Sequence, residues 1–199
     1  MSQYPEADFL TSAAHSSQFP EDAGDEVAFA GRSNSGKSSA INAILARRGL
    51  ARASKTPGRT RLLNFFVLRE GQRLVDLPGY GYAAASAAER ATWAPMMDAL
   101  IRRRCLRGLF VIVDSRRGVM PGDEELLAWA APAQLPVHVL LSKADKLKRS
   151  EARASLQAAR AALPPQVGVQ LFSVEDHTGL EEARRVLEEW LGKKNAPVA

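Results

Sequence analysis

Gly31-Arg32-Ser33-Asn34-Ser35-Gly36-Lys37-Ser38 is the stretch on which the reading of this chain turns. It has the spacing G-x-x-x-x-G-K-[ST], in which glycines let backbone N–H groups turn inward around phosphate oxygens. Lys37 offers a point charge to the outer phosphates, and the Ser38 hydroxyl suits Mg²⁺. A helix that starts here adds the positive end of its dipole. The flanks fit: Glu26 to Ala30 reads as a strand and Lys37 to Arg48 as a helix. The candidate phosphate-side residues are therefore Gly31 to Ser38, together with Ser39.

Outward from this loop, short apolar runs alternate with helical patterns. Asn64 to Leu68 and Arg73 to Asp76 read as a strand pair joined by a hairpin at Glu70-Gly71-Gln72. Gly108 to Asp114, Val137 to Ser142 and Val169 to Phe172 are near-continuous apolar runs, the mark of strands covered on both faces. Helices are predicted over Ala87 to Cys105, with Pro95 breaking or kinking it, then over Asp123 to Ala131, Ser150 to Leu163 and Thr178 to Leu191. Thr178 and Glu181 fit a capping box. Such alternation predicts an α/β fold: one doubly wound, mostly parallel sheet with an antiparallel edge strand and helices on both faces. Residues 25–192 form that domain, 1–24 an extension with room for a short strand near Phe9 and Leu10, and 193–199 a frayed tail.

Composition narrows the setting. At 199 residues the chain fits one domain. Hydrophobic residues at 46% and charged residues at 25% exclude a disordered or collagen-like chain. A single cysteine excludes an internal disulfide framework and any cysteine-rich zinc site, and points to a reducing compartment such as the cytoplasm. No apolar run is long enough to span a membrane, and no basic segment followed by an apolar one announces export. The net charge of +5 is a weak hint of nucleic acid and is equally the charge of an ordinary soluble surface.

Ligands of such sheets bind beyond the carboxyl ends of the strands. There the sequence places Asp76-Leu77-Pro78-Gly79, where the aspartate can hold Mg²⁺ through water and the Gly79 N–H can sense a γ-phosphate. Ser142-Lys143-Ala144-Asp145 follows a later strand. A carboxylate such as that of Asp145 accepts two hydrogen bonds, from guanine N1–H and the 2-amino group, which adenine cannot offer. The Lys143 stem can cover the base, and Phe172-Ser173-Val174 can present a backbone N–H to guanine O6. Between the first helix and second strand, Gly58, Arg59, Thr60, Arg61 and Leu62 lie where a phosphate-sensing segment belongs. Thr60 is the preferred Mg²⁺ ligand there, and Thr56 competes with it.

GRSNSGKSS, KTPGRTR, DLPGYGYA and SKAD, in this order, resemble the EngB family of ribosome-biogenesis GTPases, within the TrmE/Era-like translation-factor class. The similarity runs from about Phe9 to Leu191. It implies GTP and GDP as ligands with Mg²⁺, low intrinsic hydrolysis, and a role at the large ribosomal subunit, with its rRNA and proteins, that supports cell division. A cytoplasmic monomer without membrane or DNA contact is expected. The catalytic set implied is Lys37, Thr60 and Gly79, with Asn34 either a K⁺ ligand or merely a residue that fits the loop backbone. Two departures stand out. Ser142 replaces the usual Asn or Thr and loses reach. Tyr80 stands where related GTPases carry a water-orienting glutamine. The rival readings are a P-loop kinase, which leaves SKAD unexplained, and a GTPase serving another RNA or protein.

Three basic clusters (Arg52 to Arg61, Arg102 to Arg107, and Arg116 with Arg117) are either RNA contacts or solvated surface. His138 and Cys105 read as structural, and Trp93, Trp129 and Trp190 as packing residues.

Overall fold

Along β5 (Leu106–Asp114) successive side chains point to opposite faces, and the two faces enter different cores. Leu109, Val111 and Val113 pack in one; Phe110 and Ile112 pack in the other. A strand apolar on both sides must be covered on both sides. The computed structural model, which describes residues 4–51, 62–80 and 87–192 (side chains of 87–93 excepted), shows that cover. Helices α2 (Ala87–Ile101), α3 (Pro121–Ala130) and α4 (Arg149–Ala162) contribute Met96, Leu126 and Ala159 to the first core. Helices α1 (Lys37–Ile44) and α5 (Leu180–Gly192) contribute Ile41, Leu187 and Trp190 to the second.

The sheet has seven strands in the order β1-β3-β4-β2-β5-β6-β7. These are β1 (Asp8–Ala13), β2 (Asp25–Gly31), β3 (Leu63–Arg69), β4 (Gln72–Asp76), β5, β6 (Val137–Ser142) and β7 (Gly168–Leu171). Pairings β4-β2, β2-β5, β5-β6 and β6-β7 are parallel. Strand β3 runs against its neighbours, as the antiparallel edge expected from sequence, and turns into β4 through Glu70 and Gly71. The edge is one strand wider than the hairpin: β1 pairs antiparallel with β3, with a bulge between Phe9 and Thr11. Ahead of β1, Tyr4 is fully buried, and its hydroxyl donates to Glu188 on α5 at 2.6 Å. Among the described residues, no helix is long and apolar enough to cross a membrane.

Several helix boundaries differ from expectation, among them that of α3, which starts two residues early at Pro121. Helix α1 stops at Ile44 because Ala46 turns into the left-handed region at φ 50°. Helix α2 runs through Pro95 but ends at Ile101, so Cys105 lies just before β5. Helix α5 starts two residues late, at Leu180. The Thr178–Glu181 capping box is not formed, because Thr178 instead donates its N–H to Asp176 Oδ1 at 3.0 Å.

At the amino ends of the strands, Glu26 is fully buried. It accepts hydrogen bonds from Arg103 Nε (3.0 Å), Arg73 Nη2 (3.2 Å) and the Cys105 thiol (2.8 Å). Arg107 pairs with Asp25. Two arginines of the 102–107 cluster thus face inward and clasp the chain entering β2. Cys105 is structural as expected, and its thiol also has a polar partner.

His138 is buried in β6, with Nε2 2.8 Å from Gln170 Oε1 and its ring edge-on to Phe110. Burial pulls its pKa below the ordinary value. Below about pH 6.5 the unfolded chain therefore takes up a proton that the folded one resists. Stability from this site is complete above that pH and falls as pH drops. Urea midpoints at pH 7.5 and 5.5 should fall further for the native chain than for His138→Gln. Equal falls would remove His138 as the cause.

Candidate active site

The chemistry gathers at the carboxyl ends of β2, β4, β5, β6 and β7. The parallel pairing of β2 and β4 continues beyond both strands: Leu77 N–H donates to Phe29 O (2.9 Å), Tyr80 N–H to Gly31 O (3.3 Å) and Ser33 N–H to Tyr80 O (2.9 Å). The Gly31–Ser38 loop and the Asp76–Gly79 segment are thereby laid side by side. Gly79 makes this possible, since a Cβ there would meet Ser33 Oγ at 2.8 Å and Ser33 N at 3.3 Å. Leu77 is buried beneath the segment, with Pro78 half-buried beside it. The loop ends at Gly36, whose φ of 95° suits glycine and turns the chain into α1 at Lys37.

Lys37 Nζ is bonded to Asp76 Oδ1. The side chains are only 11% and 7% exposed, so each is the other's main charge compensation. Burial pushes the Asp76 carboxyl up and Lys37 opposes that shift. Ser38, half-buried one residue into α1, adds a hydroxyl; Ser39 beyond it is exposed. A hydroxyl and a carboxylate are hard oxygen donors of the kind Mg²⁺ prefers, so this pair fits that ion.

The end that the sequence leads one to expect at the base is tied together by bonds within the chain. Ser142 Oγ donates to Ser35 O at 2.5 Å and lies 3.1 Å from Val113 O, so its shorter side chain still bridges to the loop. The loss of reach expected of Ser142 is made up by close approach, since Ser142 and Ser35 are both buried. Lys143, at φ 59°, donates Nζ to Asn34 O (2.6 Å) and to Asp114 Oδ2 (3.0 Å). Its stem thus crosses from β6 to the loop. Ala144 N–H donates to Phe172 O at 3.1 Å, docking the two base-side segments. Asp145 Oδ1 accepts from Ser173 Oγ (2.8 Å), and Lys146 Nζ lies 2.9 Å from Oδ2. Lys146 and Ser173 hold the Asp145 carboxyl below its ordinary pKa, so it is an acceptor at neutral pH.

Phe172 N–H and Ser173 N–H are already spent on Leu141 O and Thr178 O, both at 2.9 Å. Among the described residues, that leaves Val174 as the backbone donor of the three for a ligand. Asn34 is exposed, with a left-handed φ of 65° that asparagine tolerates well. Leu62 is half-buried ahead of β3. Gly58, Arg59, Thr60 and Arg61, like Thr56, Gly81 and Tyr82, lie outside the described residues, as does the Trp93 side chain.

Three residues of the site carry roles that the sequence reading did not assign. Asp114 ends β5 and is bonded by Arg116 and Lys143, which together hold its carboxyl well below the usual range. The signal was present: an aspartate closing an otherwise apolar strand. Arg116 is one of those partners. Asp123, buried at the start of α3, accepts from Tyr80 Oη at 2.6 Å and from Met120 N–H at 2.9 Å. Tyr80 is thereby directed onto α3, and burial beside Asp123 raises its pKa. It cannot orient water as glutamine does.

Ser142→Ala removes the bridge between β6 and the loop. A hydrogen bond of this kind contributes about 0.5–1.5 kcal/mol, so GDP and GTP-analogue affinities should both fall about three- to tenfold. Fluorescent-nucleotide titration checks this. A loss confined to the GTP analogue would show that Ser142 acts at the phosphates instead.

Comparison with known proteins fits this geometry. A family described as "50S ribosome-binding GTPase" matches residues 26–143. The probable GTP-binding protein EngB of Coxiella burnetii (strain CbuK_Q154) is 48% identical over 195 residues, 96% of this chain and 95% of that protein. Its namesake in Nitrosococcus oceani is 51% identical over 195 residues, 96% of this chain and 98% of that protein. In fold, a crystal structure of a probable GTP-binding protein engB has a TM-score of 0.67 at 20% identity, covering 85% of this chain and 100% of that one. A variant of Aquifex aeolicus Era bound to GDP·AlF4⁻ has a TM-score of 0.62 at 20% identity, covering 89% and 60%. With sequence identity near one half across almost the whole of both chains, this chain belongs to the EngB family of GTP-binding proteins and is a GTPase.

Proposed function

We propose that this GTPase is a Mg²⁺-dependent switch whose two states are read by the large ribosomal subunit during its assembly, and through that support growth and division. The observation that carries the switch is the buried Lys37–Asp76 pair. Arriving β- and γ-phosphates offer Lys37 a better anionic partner, and Asp76 is then released to face the metal's water shell. Ser38, with Thr60 when the γ-phosphate is present, would hold the metal, which would supply charge neutralisation at the phosphate oxygens. Asp145 selects guanine, while Lys143 covers the base. Water attacks the γ-phosphorus, the bond to the β-phosphate oxygen breaks, and GDP and phosphate leave. With Tyr80 engaged by Asp123, no described side chain beside Gly79 aligns that water, which supports a low unaided rate. Asn34, exposed at the rim, is the candidate K⁺ ligand that could raise it. The chain works in this reading as a cytoplasmic monomer. The wording of the matched family, "50S ribosome-binding", supports the partner.

Co-sedimentation with purified ribosomal subunits tests the partner. The GTP-analogue form should bind the large subunit more tightly than the GDP or nucleotide-free form at both low and moderate salt. Equal, salt-sensitive binding in every state would overturn the assembly-switch reading. Base selection has its own test. Asp145→Asn replaces one acceptor oxygen with an NH₂ donor, so it should lose GTP affinity by at least a hundredfold and gain affinity for xanthosine triphosphate. Unchanged GTP affinity would dismiss Asp145 as the selector.

A further inference from the structure

We propose that the basic flank of α4 is a phosphate-backbone docking surface for structured RNA, separate from the nucleotide site. Arg149, Arg153 and Arg160 fall at i, i+4 and i+11. At 3.6 residues per turn they lie within an arc of about 40° and span about 16 Å along the helix. All three are exposed, as are Lys148 just before the helix and Arg116 and Arg117 on the turn. The turn abuts the middle of α4, where Ser155 Oγ donates to Ser115 O at 2.8 Å. That contact is on the other flank of α4, since Ser155 falls at i+6, more than about 100° around the helix from the arginines, so the continuous stripe is Lys148, Arg149, Arg153 and Arg160.

The alternative is an ordinary solvated helix. Such helices interleave charges of opposite sign and pair them along the face. Helix α5 does this: Arg184 pairs with Glu181, and Glu182, Glu188 and Glu189 accompany Arg185. Helix α3 opens with Asp123, Glu124 and Glu125. Helix α4 has one acid, Glu151, and its carboxylate accepts the Lys148 backbone N–H at 2.8 Å as a cap. Among the described residues, Arg149, Arg153, Arg160, Lys148 and Arg117 have no carboxylate within salt-bridge distance. The four unpaired cations of the α4 stripe, Lys148, Arg149, Arg153 and Arg160, form a field that needs an external anion.

The chemistry of that anion follows from the residues. Three of the four are arginines, whose planar forks match phosphate oxygens two at a time. No aromatic side chain lies on the exposed face of α4 to stack an unpaired base, so recognition is by backbone and shape, as for folded RNA. A membrane surface is disfavoured. Among the described residues the exposed large apolar ones are Phe9 and Leu10, on β1 at the opposite edge of the sheet, so they give the basic face no apolar anchor. The identity of the RNA as ribosomal rests on the function proposed above; the surface itself does not.

The test uses the full chain and purified large-subunit rRNA as the probe. Arg149→Glu/Arg153→Glu is compared with Arg102→Glu/Arg104→Glu, which makes the same change in charge at exposed positions beyond the amino ends of the strands. The α4 variant should weaken rRNA binding at least tenfold at about 100 mM KCl. It should also flatten the slope of log K against log salt by about two, near 0.9 per lost phosphate contact. GDP affinity and melting temperature should stay as in the native chain, which excludes misfolding. A conservative Arg149→Lys/Arg153→Lys variant should keep most of the salt slope. Equal losses in the two charge-reversed variants would overturn the proposal in favour of general basicity. Loss of binding to poly-glutamate with rRNA binding intact would overturn it in favour of an acidic protein. If intact subunits fail to distinguish nucleotide states while the α4 variant still loses naked rRNA, the assembly-switch reading fails and this surface stands.

Discussion

The buried contact between Lys37 and Asp76 is the constraint around which the rest is arranged. Two opposite charges taken from water cost several kcal/mol each unless they meet, and even together they add little stability. In the proposed function their use is exchange: each can pass to a stronger partner, phosphate for the ammonium and a hydrated cation for the carboxylate. That exchange needs β2 and β4 to be neighbours, since Lys37 follows the first and Asp76 ends the second. It also needs both strands rigid, which the apolar cores on the two faces secure. The sheet order is thus tied to the chemistry at its carboxyl edge.

Features fixed by short stretches of sequence were legible before the structure. The Gly31–Ser38 loop, the six strands from β2 onward and the positions of the helices depend on local spacing and on apolar runs. What escaped depends on through-space meetings. The capping box at Thr178 fits locally, but Asp176 captures that residue and the helix starts later. The sequence anticipates strand β1 near Phe9 and Leu10, but not its extent to Ala13 or its pairing with β3, because its first three residues are exposed at the sheet edge. The reach of Ser142 could not be judged without the distance to Ser35. Tyr80 could be excluded from glutamine's role by its chemistry, but its partner Asp123 lies 43 residues on, in α3.

The two ends of the site differ in kind. At the base end, Ser142, Lys143, Asp145 and Ser173 are already held by bonds within the chain. A ligand that docks there meets side chains whose ordering cost is largely met in advance. At the phosphate end, the interactions present must be traded for others: Lys37 leaves Asp76, and the Tyr80 backbone bridge to the loop holds Gly79 flush with Ser33. In the proposed function, selectivity is therefore built on rigid groups and state-sensing on replaceable ones. A γ-phosphate can alter the second set without loosening the first.

That division bears on what a partner can sense. Helix α4 is joined to the rigid end through Ser155 and Ser115, and by the short link from Asp145 to Arg149. A partner held there would receive a constant contribution to its affinity, whatever nucleotide is bound. A partner touching the segment after Asp76 would receive a contribution that changes with the γ-phosphate. One molecule reaching both surfaces combines them through effective concentration, so a weak state-dependent contact suffices once the constant one is made. A ligand can shift an equilibrium only by its differential affinity for the two states. The basic face can therefore set how long the chain stays on RNA, and only the phosphate end can set when it leaves.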